Sequence, residues 1–92
     1  MNHLSLFFAL VIFLSLSFIF YGFQCSSPQM TTAKLNIQRS EWANAEKSLK
    51  EEVQKNPDNA EAWYLLGDVR RNLENFEGMI QAFDQSLKLS KA

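Results

Sequence analysis

Two side chains of the types that most often carry chemistry occur once each in this 92-residue sequence: His3 and Cys25. No His follows Cys25, so no Ser–His, Cys–His or His-based metal constellation can be assembled. No second Cys is present, which rules out an internal disulfide. The three Gly residues are scattered and form no phosphate-cradling loop. The adjacent carboxylates Glu51 and Glu52 read as a solvated helix face, and a glycosidase-type pair would need a cleft that so short a chain does not build. No catalytic residue, metal or cofactor is expected, and the chain is not expected to be an enzyme. All nine basic and ten acidic residues lie after Cys25, giving a net charge of −1. Such a balance leaves no electrostatic footprint for nucleic acid and no basic cluster for anionic lipid.

The elements around these residues divide the chain in two. Leu4 to Phe23 is twenty residues without a charge and holds six of the eight Phe. A helix of that length spans about 30 Å, the thickness of the hydrocarbon core of a bilayer. A chain this short has nothing large enough to bury such a helix on all sides. Residues 1–24 are therefore expected to be a signal peptide or a transmembrane anchor, and residues 25–32 a polar linker containing Pro28. An apolar run followed by Cys25 and then Ser26-Ser27 resembles a bacterial lipoprotein signal, which implies Cys25 as the lipidated residue. The residues before it are Gly22, Phe23 and Gln24, where that family has Leu three before the Cys and a small residue directly before it. A lipid on Cys25 and an uncleaved helix stay side by side. The first places the chain in a bacterial cell envelope facing outward. The second makes it a single-pass inner-membrane protein, and Lys34 and Arg39 after the span then favour a cytoplasmic domain.

Beyond the linker the period is helical. Met30, Ala33 and Ile37 mark a first helix of roughly 29–38, with Leu35 off the stripe. Trp42, Ala45, Leu49 and Val53 mark a second from Glu41 to Lys55, with Glu46–Lys50 and Glu51–Lys55 as i,i+4 ion pairs. Pro57 ends it, and Asp58 with Glu61 forms the expected capping box of the next. Trp63, Leu66, Val69 and Leu73 give a third stripe, and Phe76, Ile80, Phe83 and Leu87 a fourth, across a tight turn at Glu74-Asn75.

The stretch from Ala60 to Leu89 resembles a tetratricopeptide repeat, a helix–turn–helix unit of about 34 residues. Trp63, Leu66 and Gly67 fall on the Trp, Leu and Gly of that family, and Phe76 and Phe83 on its two second-helix aromatics. Arg70, Met79 and Lys91 depart from its large aromatic, Ala and Pro. One repeat length earlier, Trp42, Ala45 and Leu49 correspond to Phe76, Met79 and Phe83, and Pro57 takes the terminal Pro position. The resemblance implies an all-α fold in which helix–turn–helix pairs stack as a short α-solenoid after the N-terminal apolar helix. Residues 33–59 would be a degenerate first repeat and residues 60–92 the second. The repeat core would be Trp42, Ala45, Leu49, Trp63, Leu66, Gly67, Phe76, Met79 and Phe83. Gly67 lets the paired helix approach. Arg70 is expected to lay its stem on the core with its head in water, and Gly78 to weaken the last helix by up to about 1 kcal/mol.

The resemblance further implies a membrane-anchored protein–protein interaction module with a scaffold or assembly role. Its binding groove would be lined by the first helix of each pair: Met30, Lys34, Ile37 and Gln38, then Glu61, Tyr64, Asp68, Arg71 and Asn72. A protein or peptide is the implied partner. Tyr64 and Asp68 stand where relatives that clamp a peptide carboxylate place Lys and Asn, so that activity is not carried over. The alternatives are a structural subunit that forms a homo-oligomer through Ile80 and Leu87 of its last helix, and the N-terminal portion of a longer array.

Overall fold

The computed structural model describes residues 27–91 and, ahead of them, the single residue Ser5. The apolar run Leu4–Phe23 and Cys25 thus lie outside the described residues, Ser5 apart. Within these, four helices follow one another: α1 (Pro28–Gln38), α2 (Trp42–Lys55), α3 (Ala60–Asn72) and α4 (Phe76–Ser90). No strand occurs among the described residues, so the fold is all-α. None of the described helices is long and apolar enough to cross a membrane.

Local chemistry explains the boundaries. The Ser27 hydroxyl accepts from Met30 N at 3.1 Å, and Pro28 occupies the first turn, where its missing N–H is no loss. The linker expected over 25–32 therefore ends at Ser27. Between α2 and α3 the cap is Asn59, not Asp58: Asn59 Oδ1 accepts from Ala62 N at 3.2 Å. An amide can do what a carboxylate cannot here, because Asn59 Nδ2 also donates to Glu52 Oε1 at 3.1 Å. Asn75 caps α4 through Gly78 N at 3.1 Å.

The two hairpin turns are copies of one another. After α1, Ser40 N donates to Ile37 O at 3.0 Å and Glu41 N to Asn36 O at 2.8 Å. After α3, Glu74 N donates to Arg71 O at 3.0 Å and Asn75 N to Arg70 O at 2.9 Å. Each pair is a Schellman C-cap with its pivot residue in left-handed backbone, φ 56° at Ser40 and 61° at Glu74. Every one of these positions recurs at an offset of 34 residues.

Each helix packs on the next, so α2 lies between α1 and α3 while α4 is held chiefly by α3. The core contains Met30 and Ala33, Ala45, Leu49 and Val53, Ala62, Leu66 and Val69, and Ala82. Ile37, Trp42, Trp63 and Leu65 pack against it. Four alanines with no exposed surface bring the helices close. Gly67 does the same for α3 and α4, since a Cβ there would lie 2.5 Å from Phe83 Cε1.

The fourth stripe divides differently from expectation. Ala82 and Ser86 are buried and Met79 half-buried, whereas Phe76, Ile80 and Leu87 are 56%, 63% and 58% exposed. The face that α4 turns to α3 combines the Phe83 ring, laid on Gly67, with the small residues Ala82 and Ser86. Phe76 is therefore not a core residue. Leu73, the last of the third stripe, is the C-cap residue and is 38% exposed.

Candidate functional site

Two kinds of surface result from this packing: a polar face on α1 and α3, and an apolar one on α4. On the first, Lys34 Nζ meets Glu61 Oε1 at 2.9 Å and joins the two helices. Glu61 is thus an ion-pair partner across the helices and not the second half of a capping box. Arg71 pairs with Asp68 one turn away, and Asn72 Nδ2 donates to Asp68 O at 2.9 Å. Tyr64 is 57% exposed, with its ring centroid 5.7 Å from that of Phe83. Gln38 is also exposed. Of the nine groove residues expected from sequence, Met30 is not available. It is 4% exposed, because α1 turns that side onto α2 and the core. Ile37 is half-buried against the same core. The other seven remain at least partly open to solvent.

Three polar groups that sequence reading assigned to solvent are tied into the packing between helices. Glu52, expected on a solvated face, is 2% exposed. Its Oε2 accepts from Ser27 Oγ at 2.6 Å, and its Oε1 from Asn56 Nδ2 at 3.0 Å and Asn59 Nδ2 at 3.1 Å. Burial pushes this carboxyl upward. The hydrogen bonds from Ser27, Asn59 and Asn56, with the charge of Lys55, outweigh that and hold it below its ordinary value. One carboxylate thereby ties the start of α1, the end of α2 and the cap of α3 together. Ser86, at the corresponding place in the second hairpin, donates to Ala60 O at 2.9 Å and ties the end of α4 to the start of α3.

Arg70 is the second such group. Its side chain is 14% exposed, with its head off the solvent: Nε bonds Glu46 Oε2 at 3.2 Å and Nη1 bonds Gly78 O at 3.1 Å. Glu46, the third, therefore pairs across helices and not with Lys50. Gly78 is the reason Arg70 fits, since a Cβ there would lie 2.9 Å from Arg70 Cδ and 2.5 Å from Asn75 Nδ2. Gly78 is thus a packing requirement and not just a weak point of the helix.

An open depression of about 370 Å³ between α1 and α2 is lined by Thr32, Asn36, Asn44, Lys47, Ser48 and Glu51. Its polar, unenclosed walls do not resemble a small-molecule site, which is typically concave and mostly apolar. Comparison with family models, curated proteins and solved structures finds no match to this chain.

Proposed function

We propose that this chain is a non-catalytic protein–protein interaction module built from two tetratricopeptide-like hairpins and held at a membrane by its N-terminal segment. The observation that carries the reading is the recurrence of one hairpin geometry at an offset of 34 residues. Its consequence is that the two first helices, linked by Lys34–Glu61, present outward residues as one surface. Tyr64 supplies an amphipathic aromatic on that surface, Arg71 and Lys34 supply cations, and Gln38 and Asn72 supply amide groups for a peptide backbone. The partner is a protein or peptide segment laid across α1 and α3, and the hairpins stack as a short solenoid. Anchoring through residues 1–24 or a lipid on Cys25 would confine chain and partner to one membrane, so that modest affinity suffices.

The test uses the full chain in its host membrane with a photoreactive phenylalanine analogue replacing Tyr64. A discrete protein adduct is expected, and Arg71→Ala should diminish it. The same analogue at Gln54, on the exposed side of α2, should give none. Equal labelling at both positions would sink the groove assignment. Intact mass of the purified chain tests the anchor separately. Loss of residues 1–24 with acylation at Cys25 means a lipoprotein, whereas an unmodified full-length mass means a membrane-spanning helix.

A further inference from the structure

We infer that the exposed apolar face of α4 is a self-association surface, which pairs antiparallel with α4 of a second copy of this chain about a two-fold axis. The same face exists elsewhere in the chain, and there it is covered. Trp42, Glu46, Leu49 and Val53 of α2 stand 34 residues before Phe76, Ile80, Phe83 and Leu87. On α2 these positions meet α3: Leu49 is fully buried, Val53 is 8% exposed, and Glu46 is ion-paired to Arg70. On α4, Phe76, Ile80 and Leu87 are each more than half exposed. They lie on one side of the helix over about 16 Å of its axis. Ile80 replaces the charged Glu46, so whatever covers α4 must be apolar at its centre, where α3 brings an arginine.

The identity of the cover follows from two complementarities. Copies stacked head to tail would place α1 on α4 as α3 is placed on α2. The α1 positions equivalent to Ala62, Leu65, Leu66 and Val69 are Pro28, Thr31, Thr32 and Leu35, which set two threonines in place of the two leucines and so offer Phe76, Ile80 and Leu87 less apolar surface. A two-fold pairing of α4 with itself meets no such mismatch. With the axis near Phe83 and Asp84, Ile80 lies against Leu87 of the partner subunit and Leu87 against the partner's Ile80. In an antiparallel pair, like flanks face each other with direction reversed. The flank beside the stripe carries Glu77 near the start of α4, the ion pair Asp84–Lys88 at 3.0 Å beyond its middle, and Lys91 at its end. Reversal sets each Glu77 opposite the partner's Lys91, while the two Asp84 carboxylates near the axis are each answered by their own Lys88, so the end pairs favour the second copy. The interface is isologous and closes at two chains.

The experiment uses the full chain carrying Cys25→Ser, in detergent micelles, with Asp84→Cys placed beside the axis. Oxidation should give a disulfide-linked dimer, and adding Ile80→Glu should abolish it. Thr32→Cys, on α1, should stay unlinked. Sedimentation at matched detergent density should show a dimer for the parent chain. Tryptophan emission from Trp42 and Trp63 checks that each variant remains folded. Glu77→Lys alone is expected to raise the dimer dissociation constant about two- to tenfold, and Glu77→Lys with Lys91→Glu to restore it. A monomeric parent chain, a dimer whose position-84 sulfurs stay unlinked, or linkage through Thr32→Cys in preference to Asp84→Cys would each overturn the inference. The first would leave α4 to a different protein, the second would put the contact elsewhere, and the third would indicate a two-fold contact through α1.

Discussion

Replacement of Glu52 tests how this small helical unit is held together. The carboxylate accepts three hydrogen bonds, from Ser27 at 2.6 Å, Asn56 at 3.0 Å and Asn59 at 3.1 Å. A bond to a charged acceptor contributes about 1.5–3 kcal/mol. The sum overstates the loss, because Asn56 is exposed and the other two donors are half-buried, so all three can recover water. Glu52→Ala should therefore cost about 2–3 kcal/mol. For a unit of this size, with roughly 3–10 kcal/mol of total stability, that is a large fraction. Glu52→Gln keeps the shape: Oε1 can still take both Asn donors, and the new amide can donate to Ser27 Oγ. It should cost only about 1 kcal/mol, the loss of charge assistance. The parent chain also differs from both variants in pH dependence. The folded-state pKa of Glu52 is lowered from an ordinary 4.5. Its contribution is thus fully present above that value and is lost as pH falls through the depressed folded value. The gap between the parent chain and Glu52→Gln should shrink on acidification below 4.5. Urea unfolding followed by the emission of Trp42 and Trp63 reads both effects within the described helices. A Glu52→Ala variant within about 0.5 kcal/mol of the parent at neutral pH would refute the reasoning. So would a gap to Glu52→Gln that widens in acid.

Further outcomes are expected of the same assay. Gly67→Ala should destabilise by about 1–3 kcal/mol despite the better helix propensity of Ala, because its Cβ would meet the Phe83 ring. A Gly67→Ala/Phe83→Leu pair should recover part of that. Gly78→Ala should cost about 1–2 kcal/mol by displacing Asn75 from its cap and Arg70 from Gly78 O. A double-mutant cycle on Glu46 and Arg70 should give a coupling near 1 kcal/mol, against less than about 0.5 kcal/mol for the exposed pair Lys34–Glu61. Equal couplings would mean that burial of the first pair counts for nothing. Ser40→Gly and Glu74→Gly should each stabilise by about 0.5–1 kcal/mol, since both residues hold left-handed backbone without being glycine.

The helices were legible because their signals are local. Apolar spacing placed the first two helices to within a residue, and the third and fourth stripes fall on α3 and α4 apart from Leu73; the close approach at Gly67 came from the repeat resemblance. What was illegible depended on partners distant in sequence. Glu52 looks solvated beside Glu51 and Lys55, and only the return of Ser27 over the end of α2 buries it. Arg70 looks amphipathic, and only Glu46 and a glycine carbonyl on the far helix make it interior. The fourth stripe misled for a related reason. A helix with two apolar sides has a single hydrophobic signature, and the side chosen for the core depends on how closely its neighbour approaches. Among the expected groove residues, Met30 was placed by the repeat resemblance, and its burial follows instead the apolar stripe it shares with Ala33.

Divergence between the two hairpins says more about use than their likeness does. Where α3 covers α2, the first hairpin can keep polar groups at covered positions, because each has its bond: Glu46 with Arg70, and Glu52 with Ser27, Asn56 and Asn59. At the equivalents of Glu46 and Glu52 the second hairpin has Ile80 and Ser86. Ser86 needs only the Ala60 carbonyl that its own hairpin supplies. Ile80 needs no hydrogen bond at all, but it lies 63% exposed between two aromatics and Leu87. A surface meant for water gains nothing from that exchange, whereas a surface meant to be covered is relieved of desolvating a charge. Ile80→Glu restores the charged residue type of the first hairpin at a position where nothing needs repacking. It should therefore leave the stability of the dilute monomer within about 0.5 kcal/mol of the parent while removing association at higher concentration. A variant that instead lost its fold in dilute monomer would show that Ile80 belongs to the core and that the face is not an interface.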